Sequence, residues 1–129
     1  MVYILQNIAA IFAATTVGLL LGLLAVRISN GLLPSVSALC VVALAEFWMA
    51  CILAGALILA PPQAPAWVMA LATPFIIWIG FIAPVIAVSG AVSELSSRSS
   101  LRTSLHWLVV MLAMAATLQA IGLTAPTPA

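Results

Sequence analysis

The stretch Ser35–Pro62, SVSALCVVALAEFWMACILAGALILAPP, decides the fold of this chain. From Ser35 to Ala60 it holds one charged side chain, Glu46, and it closes on two prolines, which lack the N–H that a continuing helix needs. A helix rises about 1.5 Å per residue and the hydrocarbon core of a bilayer is about 30 Å thick, so roughly 20 apolar residues make one crossing. This stretch is long enough to cross. Its alanine and leucine content favours helix, and it shows none of the alternation a membrane barrel strand needs.

Three stretches of the same kind lie on either side of it. Upstream, Val2 to Val26 is apolar and ends at Arg27, Asn30 and Gly31. Downstream, Trp67 to Ser93 begins after the proline-rich PPQAPA and stops at the polar run SELSSRSSLR. The last, Thr103 to Leu123, gives way to TAPTPA, where Pro126 and Pro128 cannot continue a helix. The expected spans are therefore about 2–26, 35–60, 67–93 and 103–123. Short connections make consecutive helices antiparallel neighbours, which predicts an all-α, up-down bundle of four transmembrane helices as a single domain over 1–129, with nothing left for a soluble domain. The first span has no positive leader and is too long for a signal-peptide core, so it is expected to stay as an anchor.

Composition agrees. The 129 residues are 67% hydrophobic and 4% charged, with a mean hydropathy of +1.40, against about 25% charged in an ordinary soluble domain. Lipid is the expected partner, and nucleic acid is not, since three arginines cannot neutralise a row of phosphates. Arg27 falls in the first connection and Arg98 and Arg102 in the third. That asymmetry predicts both connections in the cytoplasm, with both termini outside a bacterial inner membrane. Trp67 and Trp107 are expected near opposite interfaces, and His106, three residues into the fourth span, near headgroup level.

Glu46 is the residue most able to carry chemistry. It lies about 16 Å along its helix from Ser35, near mid-membrane, where an ionised carboxylate is costly and must be neutral, paired or beside water. One reading is a proton carrier or cation site. The other is a neutral glutamate that donates an interhelical hydrogen bond. Depth suggests partners for the second: Thr15 on the first helix, the indole N–H of Trp78, and the carbonyl of Gly80, which Pro84 cannot engage. Ala14, Gly18 and Gly22, with Ala10 before them, form a small-residue stripe that lets helices approach closely, within the chain or between copies. A lone histidine without a second ligand one turn away does not make a metal site, and Cys40 and Cys51, about 16 Å apart on one helix, cannot bridge. With no Asp, no Lys and no phosphate loop, neither an enzyme nor a bound cofactor is expected.

WIGFIAPV (Trp78 to Val85) and HWLVVMLAMAATLQAIG (His106 to Gly122) resemble the bacterial membrane family catalogued as domain of unknown function 1761. That family has about this size and four hydrophobic spans, with a Trp-x-Gly-Phe stretch in the third helix, here Trp78, Gly80 and Phe81, and a histidine early in the fourth, here His106. The resemblance implies fold and location and no activity. In the first connection, RISNGLLPS, the chain departs from the family's tryptophan-bearing pattern. Small multidrug transporters are similar in length, but their single intramembrane carboxylate lies in the first helix. Fluoride channels are similar only in size. From these features the sequence favours a non-enzymatic accessory or structural subunit that assembles with itself or with other membrane subunits. The alternative is a minimal proton-coupled transporter or channel with Glu46 as its titrating group and Pro74 and Pro84 as kinks.

Overall fold

A computed structural model describes residues 2–30, 33–61 and 63–126. Gly31, Pro62 and Pro128, three of the expected helix stops, lie outside the described residues. The elements are α1 (Val2–Gln6), α2 (Ile8–Asn30), α3 (Val36–Ile58), α4 (Ala66–Ile77), a π-helical turn (Trp78–Ile82), α5 (Ala83–Val92) and α6 (Ser97–Ile121), with no strand among the described residues. Four helical spans, 8–29, 36–58, 66–92 and 97–121, are long and apolar enough to cross a membrane. The fold is an all-α four-helix bundle, and the protein is an integral membrane protein.

Two of the helices begin where a serine side chain serves their free N–H groups. Ser35 accepts from the Ala38 N–H at the start of α3, and Ser96 accepts from the Ser99 N–H at the start of α6. The second cap moves the start of the last helix from the expected Thr103 back to Ser97. Arginine and serine do not break a helix whose end reaches water, so the second half of the polar run is helix. The same applies to α2, which continues past Val26 to Asn30, with the Ser29 hydroxyl donating back to the Ala25 carbonyl at 2.7 Å. In the first span the ladder runs on through Asn7, whose N–H reaches Tyr3 O while Ile11 N–H reaches Asn7 O.

The third span contains Pro74 within α4 and Pro84 in the first turn of α5. Pro84 has no N–H for the Gly80 carbonyl, and its ring would crowd that oxygen in a regular α-turn. The chain widens instead, and the Ala83 N–H reaches five residues back to Trp78 O. α5 ends with the Leu95 N–H on Gly90 O across Glu94, which sits at φ 54°. This is the six-to-one bond of a Schellman cap, with a non-glycine residue in the left-handed position.

The core belongs to three of the four spans. Ile11 and Ala14 of α2, Ala50, Leu53 and Ala54 of α3, and Val110, Met111, Met114 and Leu118 of α6 are fully buried together. The third span leans on this core from outside through Ala70, Pro74 and Gly90, and a β-carbon at Gly90 would run into the Ser100 hydroxyl. α2 and α6 run antiparallel, pinned at three levels. Asn7 holds Thr124, Gly18 lies against Met114, and the Arg102 guanidinium donates to the Ser29 hydroxyl. Many other large apolar side chains, among them Leu20, Val41, Leu44, Phe81 and Val88, are exposed and face the lipid of a bilayer.

Candidate functional site

Glu46 is only 2% exposed, in the second turn-pair of α3, and points at α2. What makes room for it is the absence of side chain on the facing helix. A β-carbon at Gly18 would stand 2.6 Å from Glu46 Oε2, and one at Gly22 would stand 3.6 Å from Oε1. Met114 of α6 closes the third side against Gly18. The carboxyl is thus clasped between two glycines one turn apart. Its Oε2 is buried with no hydrogen-bond partner.

None of the partners inferred from depth bonds that oxygen. Thr15 is buried but its hydroxyl donates to Ile11 O, 2.9 Å away on its own helix. Trp78 donates its indole N–H to Ser104 O of α6 at 2.8 Å. Gly80 is exposed in the π-turn, with nothing within 4 Å of its β-position. Depth had fixed the height of these groups and left open which way each faces.

The small-residue stripe is used inside the chain. Ala10 and Ala14 are in the core, Gly18 is buried, and Gly22 adjoins Glu46, so an assembly of copies would have to use another surface. With α6 starting at Ser97, His106 and Trp107 stand about three turns into the helix. Trp107 packs against the core and lines a pocket with Met49, Phe81 and Ile82. Trp67, the second residue of α4, is half exposed at the helix end.

A cleft of about 300 Å³ with a mixed lining, apolar at Ala25 and Val26, opens between the C-terminal end of α2 and the N-terminal end of α6. Ser29, Ser99, Arg102, Thr103 and His106 supply its polar lining, and Gly22 lies at its deep end on α2. A larger cavity of about 420 Å³ lies between α5 and α6, lined by Trp78, Ser97, Ser100 and Ser104 among apolar residues, with no charged side chain.

No known family model, curated protein or solved structure matches the chain. The resemblance to the domain of unknown function 1761 family therefore rests on its motifs alone. Among the described residues no three His, Cys, Asp or Glu side chains come together as a metal centre would need.

Asn7 escaped the sequence reading. It is 4% exposed, its Nδ2 donates to Tyr3 O at 2.8 Å and Thr124 O at 2.9 Å, and its Oδ1 accepts the Thr124 N–H at 2.7 Å. It clamps the segment after α6 to the start of α2. The available signal was the amide pair Gln6 and Asn7 near the start of an apolar span.

Proposed function

We propose that this integral membrane protein moves protons across the bilayer, alone or coupled to a solute, with Glu46 as the group that takes up and releases them. One observation carries the reading: the Glu46 carboxyl is almost wholly buried and Oε2 has no partner. A glutamate kept for packing or for an interhelical hydrogen bond would have its bond, because a buried polar atom without one costs about 1–3 kcal/mol. Ionisable groups held inside membrane bundles at such a cost are typical of proton and ion paths. The two clasping glycines put no side chain between α2 and the carboxyl.

The membrane we assign is the bacterial inner membrane, with Arg27, Arg98 and Arg102 on the cytoplasmic side and both termini outside. Impermeant thiol labelling of cysteines introduced at Gln63 and Ser96, in a chain freed of its native cysteines, should mark position 63 and spare 96 in intact cells. The reverse pattern inverts the orientation.

Proton flux into liposomes holding the purified chain tests the function. Glu46→Gln keeps the size of the neutral acid and cannot titrate, so it should assemble normally and lose flux by about 100-fold or more, in the range removal of an essential proton-transfer group produces. A Glu46→Gln protein with wild-type flux, or a wild-type protein with none, removes the reading.

A further inference from the structure

Gly22, a residue without a side chain, belongs both to the lining of the α2–α6 cleft and to the surroundings of Glu46. On α6 the cleft's polar residues follow one another at helical spacing, Ser99, Arg102 and Thr103, then His106 deepest. On α2, running the other way, Ser29 is at the mouth and Gly22 at the deep end. Glu46 Oε1 lies 3.6 Å from the point that a β-carbon of Gly22 would occupy. Beyond Glu46, toward the other membrane face, the helices are closed by the fully buried Ile11, Leu53, Met111, Met114 and Leu118.

We propose that this cleft is the route by which protons reach Glu46, with His106 as the relay group and Gly22 as the opening between them. The inference rests on the reading of Glu46 as the proton-carrying residue and adds the side of entry and a second residue. The cleft is large enough for a short chain of waters, and its hydroxyls and imidazole give each water polar partners. The groove that continues on from Arg102 and His106 along Leu21, Leu24, Ile28, Leu105 and Val109 is apolar and offers no such support.

Neutral imidazole carries one N–H and one bare ring nitrogen. A proton arriving along the cleft binds the bare nitrogen as the water that brought it regains its O–H pair. The N–H on the opposite nitrogen then breaks, its proton passing over a water to a carboxylate oxygen of Glu46, where an O–H bond forms. The ring is left neutral in its other tautomer and resets by rotation, with nothing consumed. The charged group facing His106 in the cleft is Arg102 on its own helix, and Glu46 lies beyond Gly22. α2 contributes none to the lining, and the span 66–92 packed on the far side of α6 contains no charged residue or histidine.

The test uses the full chain in liposomes, with a pH-sensitive dye for flux and the infrared C=O band of protonated Glu46, assigned by its loss in Glu46→Gln, for equilibrium titration. Gly22→Val fills the opening, and His106→Ala removes the relay. Each should lower flux by about 10-fold or more while leaving the Glu46 band in place at equilibrium. Added imidazole should restore flux to His106→Ala and leave Gly22→Val slow, a rescue that a packing role for His106 would not give. Flux within about twofold of wild type in both variants, alongside loss in Glu46→Gln, overturns the route and spares Glu46. Failure of imidazole to restore flux removes His106 from the relay. Normal flux in Glu46→Gln removes both.

Discussion

Asn7 and Glu46 are almost equally hidden, at 4% and 2% exposure, and the fold treats them in opposite ways. Asn7 has both its amide nitrogen and its amide oxygen engaged, tying Tyr3 and Thr124 together. Glu46 sits among glycines and a methionine with one oxygen unserved. Burial alone therefore does not separate these two polar residues. The completeness of the hydrogen-bond set does. An amide that completes its bonds contributes to stability, whereas an acid that leaves one unmade is a standing cost that the rest of the bundle offsets.

Substituting each by an apolar side chain of similar size should pull the two apart. Asn7→Leu loses three hydrogen bonds and strands the Thr124 backbone, so stability should fall by about 2–4 kcal/mol, at roughly 1 kcal/mol per bond plus the stranded groups. Thermal unfolding in detergent would show this, with earlier proteolysis of the C-terminal segment. Glu46→Met removes an unserved oxygen and keeps the volume, so the same measurement should find stability unchanged or up by about 1–2 kcal/mol. An equal loss in both variants would mean that Glu46 is bonded in the membrane after all, and the distinction would collapse.

The glycines that clasp Glu46 sharpen the contrast at smaller scale. Gly18→Ala drives a β-carbon into Glu46 and Met114 and should cost about 1–3 kcal/mol by overpacking. Gly22→Ala meets Glu46 at ordinary contact distance and should stay within about 1 kcal/mol of wild type, helped by alanine's better helix propensity. Two equal losses would show that both positions are merely tight.

Glu94 provides the smallest and cleanest control. Its left-handed backbone at the end of α5 is unfavourable for a residue with a β-carbon, so Glu94→Gly should raise stability by about 1 kcal/mol. Liposome flux should not change, which separates ordinary strain in the fold from the cost carried at Glu46.

The four spans were legible because their stops are local. Pro61 and Pro65 cannot continue a helix, the last helix closes on Gly122 at φ 88°, and Ser35 sits at the start of α3 as read. The start of α6 was not legible, because Ser97 to Arg102 look polar but make acceptable helix once Ser96 caps it. Glu46 stood out as the acid within a span, yet its surroundings could not be derived from depth. Rise along a helix gives height, and which face meets which neighbour depends on how the helices turn against one another. Asn7 was missed for the same reason, since its partner Thr124 is 117 positions away and no pattern near either residue announces the other. The stripe at Gly18 and Gly22 was visible, but its meaning came only with Glu46 opposite.

The π-turn at Trp78–Ile82 sets a phase between the two halves of the third span. An α-helix advances about 100° per residue, so one residue taken up in a wide turn rotates everything after it by about that angle relative to everything before. α4 packs chiefly on α6 and buries Ala70 and Pro74, and α5 meets the same helix through Gly90 at the Ser100 hydroxyl. Those two contact faces would not both point at α6 on an unbroken α-helix that kept this sequence spacing. The extra residue works as a vernier between them: with it, one straight partner is gripped twice, and a chain shortened by a single residue at Ile79 would hold α6 at one end only.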